Sequence, residues 1–299
     1  NANFNISFNR NKIVSLGLDP DGTPLASSSP ASGWVNSLQD FKVAVGQPIG
    51  LFYGYVTDGY YTLDDFNYDA STRQYTLKDN VPNDGAAALG AKAPQPGDLK
   101  LKKLSDSKDM TIGDGDKTVL GRAQPKFIGG LNQEFTYKNF DLSVFVNWSY
   151  GNQEYNANKS EYTSAYLYKD NNMLALMKDR WKWFDANGVK VTDPKELATM
   201  NANTKYWTPP GGQYILTSFD IEDASFLRIS NVTLGYSLPS DLLKRTRLIS
   251  RFRVYATVNN LWVFARYSGY DPEASTRRKT PLTPGVDSAA YPRRRFVLG

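Results

Sequence analysis

Polar and apolar residues alternate along Phe140–Tyr150, and this pattern constrains the fold more than any other feature of the chain. The even positions are apolar or aromatic, and the odd positions are mostly polar, with Phe145 as the exception. A period of two residues is typical of a β-strand with one apolar and one polar face. The segment is about as long as a tilted strand that crosses a bilayer, and aromatic residues stand at both of its ends, where membrane barrels carry girdles.

Four other segments carry this alternation or a variant of it, and Arg295–Gly299 has the start of one. In the segment 226–238, Leu227 and Ile229 stand at odd positions, whereas Val232, Leu234 and Tyr236 stand at even positions. One extra residue near Ser230–Asn231, a β-bulge, would return them to a single face. The other apolar series are Phe4, Ile6 and Phe8; Leu131, Phe135 and Tyr137; and Phe252, Val254, Ala256, Val258, Trp262 and Phe264.

The connections between these segments alternate between short and very long. Lys138-Asn139 makes a two-residue hairpin turn, and residues 239–250 form a moderately short link. The other connections, which we assign to 17–123, 152–218 and 265–292, are long. Membrane barrels sort their links in this way, with short periplasmic turns and long extracellular loops, whereas a sandwich has no reason to do so. We therefore predict an all-β fold, with about six antiparallel strands of a transmembrane β-barrel and long extracellular loops.

Composition excludes several other classes of protein. Mean hydropathy is −0.49, and no stretch approaches the roughly 20 apolar residues that a spanning helix needs. The chain has no Cys and no His, which excludes disulfides, Cys/His zinc sites and histidine acid–base chemistry. The adjacent acids Asp64-Asp65 and Glu222-Asp223 would point to opposite faces of a strand, so neither makes the facing pair of a glycosidase. We predict that the chain is not an enzyme and has no cofactor.

The formal net charge of +5 is mild, and its basic clusters lie at Arg277–Lys279 and Arg293–Arg295. No nucleic-acid recognition motif accompanies them, so nucleic acid is not an expected partner. They would lie on a solvated or lumenal surface, or meet lipopolysaccharide phosphates at the outer rim. No leader or initiator Met precedes Asn1. An exported protein would have to be longer than this sequence, whereas a mature soluble domain could begin the same way.

The long loops have patterns of their own. The first holds Gly50–Tyr55 and Asp58–Tyr61, which could form a small hairpin subdomain. In the second, apolar residues of Asn171–Phe184 recur at helical spacing, and Asn187-Gly188 would end that helix. Its aromatic residues could stack on a sugar, or they could pack the miniature core of the loop itself. The candidate ligand contacts are Trp181, Trp183 and Trp207.

An oxygen-rich segment in the first loop is a candidate metal site. Its acids are Asp106, Asp109, Asp114 and Asp116. Loops of this kind can bind calcium, but the ligand spacing does not match an EF-hand and no closing Glu follows. Lys103 and Lys108 also place positive charge among the acids. The alternative is a solvated acidic turn.

Several motifs, in the same order, resemble those of the SusC/RagA family of TonB-dependent outer-membrane transporters. The most specific is Phe226–Pro239, which resembles the penultimate-hairpin signature of that family. The similarity covers nearly the whole chain. The further motifs are Tyr53-Gly54-Tyr55, Asp58-Gly59, Pro96–Lys100, Pro125–Gly130, Arg253–Tyr255, Asn259–Trp262, Gly269–Glu273, Gly285–Asp287 and Tyr291–Arg293.

The resemblance implies the C-terminal part of a plugged barrel of about 22 strands in the cell outer membrane. Such a barrel is capped by a SusD-like surface lipoprotein and imports oligosaccharides or peptides, driven by TonB. The plug, the TonB-contacting segment and the remaining N-terminal strands would lie outside this sequence. About six strands cannot close a barrel, and open edges in lipid leave costly unpaired backbone groups, so further chain would have to complete the wall.

Two departures from the family pattern are visible. The family often has a Lys-Asp-Leu-Asn-Gly-Asp-Gly-like run where this chain has Lys102–Lys108, which weakens the metal hypothesis. The family also tends to end on an aromatic residue a few positions later, so the last strand would be cut short at Gly299. Two other readings stay open. A soluble glycan-binding β-sandwich would bury the same apolar faces in a core, and a secreted glycosidase domain would need two carboxylates converging in one cleft.

Overall fold

The structure is a computed structural model that describes residues 1–35, 38–165, 170, 172–244, 249–276, 281–288 and 295–298. It is mostly β and is built on one antiparallel six-stranded sheet. Its strands follow one another across the sheet in chain order, as the alternation predicts. They are β1 (Ala2–Ser7), β2 (Phe127–Tyr137), β3 (Phe140–Tyr150), β4 (Phe226–Ser237), β5 (Arg253–Ala265) and β6 (Arg295–Leu298).

The register of the strands gives the sheet one apolar and one polar face. One cross-strand row of the apolar face contains Phe4, Leu131, Val146, Ile229 and Trp262. The neighbouring row of the polar face contains Asn3, Asn132, Phe145, Asn231 and Asn259. The apolar face is not covered by a second sheet within the described residues, and Phe4 and Trp262 are 61% and 51% exposed. This face therefore does not form the packed core that a β-sandwich requires.

The predicted irregularities of the sheet are confirmed. Ile229 pairs with Val146 and Asn231 with Phe145, so Ser230 is the extra residue of a bulge. The bulge is what keeps both halves of β4 on the same apolar face. Tyr137 pairs with Phe140 across the two-residue turn, where Lys138 adopts a positive φ of 53°.

The long connections are themselves folded. One small sheet contains Ser27–Ser28, Phe41–Ala44, Leu51–Gly54 and Thr118–Arg122. Another contains Gln153–Asn156, Ile221–Asp223 and Val286–Asp287, and two strand pairs join Thr57–Tyr60 to Leu99–Leu101 and Phe66–Asp69 to Gln74–Leu77. The α-helices are Gly85–Ala88, Ala157–Thr163, Pro194–Met200 and Ser240–Leu243, and the 3₁₀ helices are Leu63–Asp65, Asp114–Asp116 and Ala175–Asp179. In the described part of the chain, every helix is too short or too polar to span a membrane.

The helix predicted over Asn171–Phe184 is wrong. Asn171 lies outside the described residues, and the rest of the segment contains only the 3₁₀ helix Ala175–Asp179. From Arg180 the backbone is extended, because Arg180 bridges to Tyr206 and the N–H of Trp181 donates to the carbonyl oxygen of Tyr206. Met177 and Trp181 are both buried, and Trp181 belongs to a core with residues of the first connection, so their helical spacing reflects burial and not a shared helix face.

Three apolar cores join the long connections into one folded unit, which we call the cap. The first core packs Tyr61, Phe66, Tyr75 and Val81 of the first connection on Trp181 and Leu197 of the second. The second packs Tyr55, Leu99, Leu101 and Ile112 on Trp207. The third brings together Phe41 and Phe52, Tyr155 and Leu216, and Val286 of the third connection. The predicted hairpin subdomain is thus one part of a unit that all three connections build.

Candidate functional site

A cavity of about 520 Å³ lies where the polar face of the sheet meets the cap, and we call it the seam cavity. From the sheet it is lined by polar side chains that include Asn5, Asn147 and Ser149. From the cap it is lined by Asn152, Glu154 and residues 272–275 of the third connection. Amide and hydroxyl groups both donate and accept hydrogen bonds, and Ile128, Phe145 and Phe226 add apolar surface, so the lining offers both polar and apolar contacts.

Glu154 is the most perturbed titratable group of the cavity. It lies on the strand Gln153–Asn156 and is 3% exposed, and its Oε1 has no hydrogen-bond partner within the described part of the chain. Burial raises the pKa of Glu154 to about 10, and the charges of Asp287 and Asp271 add to this effect. The carboxyl group therefore holds its proton at neutral pH and offers an O–H donor instead of a negative charge.

Arg228 fastens the third connection to the sheet beside this cavity. It stands on the polar face of β4, and its side chain is 6% exposed. Its Nη2 lies 2.6 Å from Oδ1 of Asp271 and 2.9 Å from Oε2 of Glu273. A buried guanidinium needs such partners, so these carboxylates hold residues 271–273 in place.

Glu222 joins the second and third connections. Its carboxylate accepts hydrogen bonds from the N–H and the hydroxyl of Ser268 at 2.8 and 2.7 Å, and it pairs with Nζ of Lys159 at 3.0 Å. The neighbouring Asp223 accepts from Ser225 instead. The two adjacent acids thus serve separate contacts, as their alternation on a strand predicts.

The three candidate tryptophans all take part in packing within the cap. Trp181 is 5% exposed and lies against Gly97, where an added Cβ would come 2.0 Å from Cγ of the indole. Trp183 is partly buried beside the same core and meets the ring of Tyr75. Trp207 is 7% exposed, and its ring centroid lies 4.9 Å from that of Phe219. Their main contacts are with protein side chains, and they do not line the seam cavity.

The four candidate metal ligands are not brought to one point. Asp116 is buried and accepts backbone N–H bonds at 2.9 Å from Leu104, Ser105 and Gly113. It also pairs with Lys103 at 3.3 Å, while Asp114 pairs with Lys117 at 2.7 Å. Asp106 and Asp109 are exposed. In the part of the chain that the structure describes, no three acidic side chains are grouped as a metal ion requires.

The remaining sequence predictions fall partly outside the described residues. The basic run 277–279 and residues 289–294 lie there, and only the backbone of Arg295 is described. Sequence reasoning missed Glu154 altogether. Arg228 and Asp271 lie within the motifs Phe226–Pro239 and Gly269–Glu273, but nothing in the local pattern indicates that they form an ion pair.

The chain is similar to several TonB-dependent receptors, although no protein-family model matches it. It is 30% identical over 301 residues to TonB-dependent receptor P3 of Formosa agariphila, which covers 99% of this chain and 26% of that receptor. It is 30% identical over 193 residues to TonB-dependent receptor SusC of Bacteroides thetaiotaomicron, covering 63% of this chain and 16% of SusC. One chain of the RagAB peptide transporter matches with a TM-score of 0.62 at 19% identity, covering 99% of this chain and 26% of that one. This chain thus spans about a quarter of the length of P3 and of that RagAB chain.

Proposed function

Since this chain belongs to the SusC/RagA family of TonB-dependent receptors, we propose that it forms part of the wall and outer loops of an outer-membrane nutrient importer. The observation that carries this proposal is the two-faced sheet, which exposes an apolar face and presents a polar face on the side of the seam cavity. A membrane barrel needs this arrangement, because its outside meets lipid and its inside meets water.

The dimensions of the sheet support the same proposal. A strand of the length of β3 extends about 37 Å at 3.4 Å per residue, and a tilt of about 40° reduces its height to about 28 Å. The apolar band of membrane barrels is about 25 Å tall. Phe140 and Tyr236 pair at the hairpin end of the apolar face, and Phe127 and Tyr150 pair at the cap end. These pairs stand where aromatic girdles meet the two membrane surfaces.

The position of the links orients the sheet. The short links lie at one end and the cap at the other, so the cap would face the outside and the short turns the periplasm. The outermost strands, β1 and β6, would leave backbone groups unpaired in lipid at several kcal/mol each. We infer that further strands of a longer polypeptide close the wall into a plugged barrel of about 22 strands.

The partners and the cargo follow from the family. We propose that a SusD-like surface lipoprotein sits over the cap and that TonB drives import through a segment outside this sequence. RagAB is described as a peptide transporter, and the family also includes SusC. The amide side chains of the seam cavity would bind sugar hydroxyls or peptide groups equally well, so we propose oligosaccharides or peptides as the cargo class.

The orientation of the two faces is tested by matched substitutions in the full-length receptor. Val232→Arg places a charge on the apolar face of β4, and Thr233→Arg places the same charge on the polar face. Arg facing lipid near the bilayer midplane costs about 2–4 kcal/mol, whereas a lumenal Arg can be hydrated. We expect the Val232 variant to be depleted from outer membranes, measured as heat-resistant folded barrel, and the Thr233 variant to assemble normally. Equal loss in both variants would contradict the proposed orientation.

Import itself is tested in cells. A strain that lacks the receptor should lose uptake of either labelled oligosaccharides or labelled peptides. Collapse of the proton gradient should abolish the same uptake in the wild type. Uptake of both pools at the wild-type rate without the receptor would refute the importer assignment.

A further inference from the structure

A second cavity, of about 610 Å³, opens at the cap end of the apolar face, and we call it the rim cavity. Tyr150, the last residue of β3, lines it from below. Arg122 and Lys126 line it from the side of the first connection, and Asp223 and Ser225 from the side of the second. Its remaining lining consists mainly of residues 119–121 and 151–153.

Two cationic side chains of the rim cavity lack an anionic partner. Arg122 and Lys126 form no ion pair within the described residues, although nine other ion pairs occur there. The ammonium of Lys126 lies 5.8 Å above the ring of Tyr150, and Lys126 is exposed. The backbone N–H of Arg122 donates to Oε1 of Gln153 at 3.0 Å, which fixes the base of the Arg122 side chain.

Asp223 is the acid of this lining, and its carboxylate stays charged while it accepts hydrogen bonds from Ser225. The N–H and hydroxyl of Ser225 donate to its carboxylate at 2.9 and 2.6 Å. These hydrogen bonds, and to a lesser degree the charge of Arg266, lower the pKa of Asp223. Arg122 and Lys126, together with the nearby Arg266, thus outnumber the single carboxylate at this rim.

The rim cavity stands directly beside an aromatic girdle. The rings of Phe127 and Tyr150 stack at 5.1 Å between centroids, and Phe8 lies 5.8 Å from Phe127. Aromatic rings at this level mark the boundary between acyl chains and headgroups, and Lys and Arg beyond it extend toward the headgroups. A phosphate held here would have its acyl chains against the apolar face.

We propose that the rim cavity binds a phosphate group of an anionic outer-leaflet lipid, with Arg122 and Lys126 as its ligands. Guanidinium and ammonium groups form strong charge-assisted hydrogen bonds to phosphate oxygens, and Arg can bind two of them at once. The proposal rests on the proposed function, because that function turns the cap toward the outer leaflet. A free phosphate would meet the same cations but would gain nothing from the girdle.

The test uses the full-length receptor in detergent, with bound lipid measured by native mass spectrometry. The probes are bisphosphorylated lipid A, lipid A with its phosphates removed, and inorganic phosphate. The variant is the double substitution Arg122→Gln with Lys126→Gln. The matched control is Lys138→Gln, whose ammonium lies 5.4 Å over the ring of Tyr137 at the opposite end of the same hairpin.

We expect the double variant to bind bisphosphorylated lipid A at least tenfold more weakly, a loss of at least about 1.4 kcal/mol of binding free energy, since both charge-assisted contacts to the phosphate are removed. Lys138→Gln should bind it as the wild type does. The dephosphorylated lipid should bind the wild type no more tightly than it binds the double variant. If the double variant does not fold, the exposed Lys126→Gln alone should weaken binding several-fold.

Three results would overturn the proposal. The first is unchanged lipid A binding by the folded double variant or, where only Lys126→Gln folds, by that variant. The second is wild-type binding of the dephosphorylated lipid as tight as that of lipid A. The third is competition by inorganic phosphate at the concentration at which lipid A binds, which would indicate a site for free phosphate. The matched arginine substitutions in β4 test the proposed orientation separately, so a failure of either proposal is recognisable by itself.

Discussion

Replacing Glu154 with Gln should stabilise the cap at neutral pH. The carboxyl of an unfolded Glu titrates near 4.5, and burial raises the pKa of Glu154 to about 10 in the folded cap. At pH 7 the folded state therefore holds a proton that the unfolded state has released. The free energy of that difference is about 1.4 kcal/mol for each unit between 4.5 and 7, or about 3 kcal/mol. Gln offers a similar shape and never has to give up a charge on folding.

The sign of the effect sets its pH dependence. The folded pKa of this acid is raised, so its unfavourable contribution is absent below pH 4.5 and grows as pH rises toward 10. Wild-type cap stability should fall by about 1.4 kcal/mol for each pH unit in this window from the Glu154 carboxyl alone. The Gln variant should lack that slope.

Hydrogen exchange of two amides measures the difference in the full-length receptor. The N–H groups of Tyr155 and Asn156 donate to the carbonyl oxygens of Gly285 and Asp220, so they exchange only when this part of the cap opens. At pH 7 their exchange, corrected for intrinsic rates, should be on the order of 100-fold slower in Glu154→Gln than in the wild type. The control is Glu196→Gln, an exposed acid of the helix Pro194–Met200, which should leave both amides unchanged. Equal protection and equal pH slopes in Glu154→Gln and the wild type would refute the reasoning.

Two further substitutions and one deletion test the contacts that hold the molecule together. Arg228→Leu leaves two carboxylates without their buried cation, so the opening free energy that hydrogen exchange measures for residues 268–276 should fall by about 3 kcal/mol. Lys244→Leu removes one partner of an exposed ion pair and should change the free energy of unfolding by under about 1 kcal/mol. Asp116→Ala should speed proteolytic cleavage within 104–117, because three backbone N–H groups lose their acceptor, and Asp106→Ala should not. Deletion of Ser230 should abolish assembly into outer membranes, since it turns the first residues of β4 to the wrong face, while Ser230→Ala should assemble.

The sheet could be predicted from sequence because its design is local. Side chains alternate between the faces of a strand, so a sheet with one apolar and one polar face must show the same alternation in its sequence. The predicted bounds of Phe140–Tyr150 match β3, and the phase change in 226–238 predicts a bulge near Ser230–Asn231, where Ser230 is the extra residue. The two-residue hairpin followed from the same argument.

The cap could not be predicted in this way, because its contacts are distant in sequence. Trp181 is buried by Tyr61 and Phe66, which lie more than 100 residues earlier in the chain. Its spacing from Met177 therefore matches that of a helix although the two residues do not share one. Glu154 has no local signature either, since its raised pKa depends on burial and on acids of the third connection. The pairing of Arg228 with Asp271 likewise joins β4 to a loop that the local pattern does not place.

This contrast explains how relatives can differ so much and keep the fold. The apolar face depends on apolar character more than on particular residues, so Val, Leu, Ile, Phe or Trp can replace one another without changing which face of the sheet is apolar. A match with a TM-score of 0.62 at 19% identity fits a wall that is specified by pattern. The core of the cap instead requires particular residues, because the indole of Trp181 packs on Gly97 and on side chains of the first and second connections. Trp181→Ala would leave a cavity that costs about 3–5 kcal/mol, whereas Val144→Leu on the apolar face of the wall should cost little.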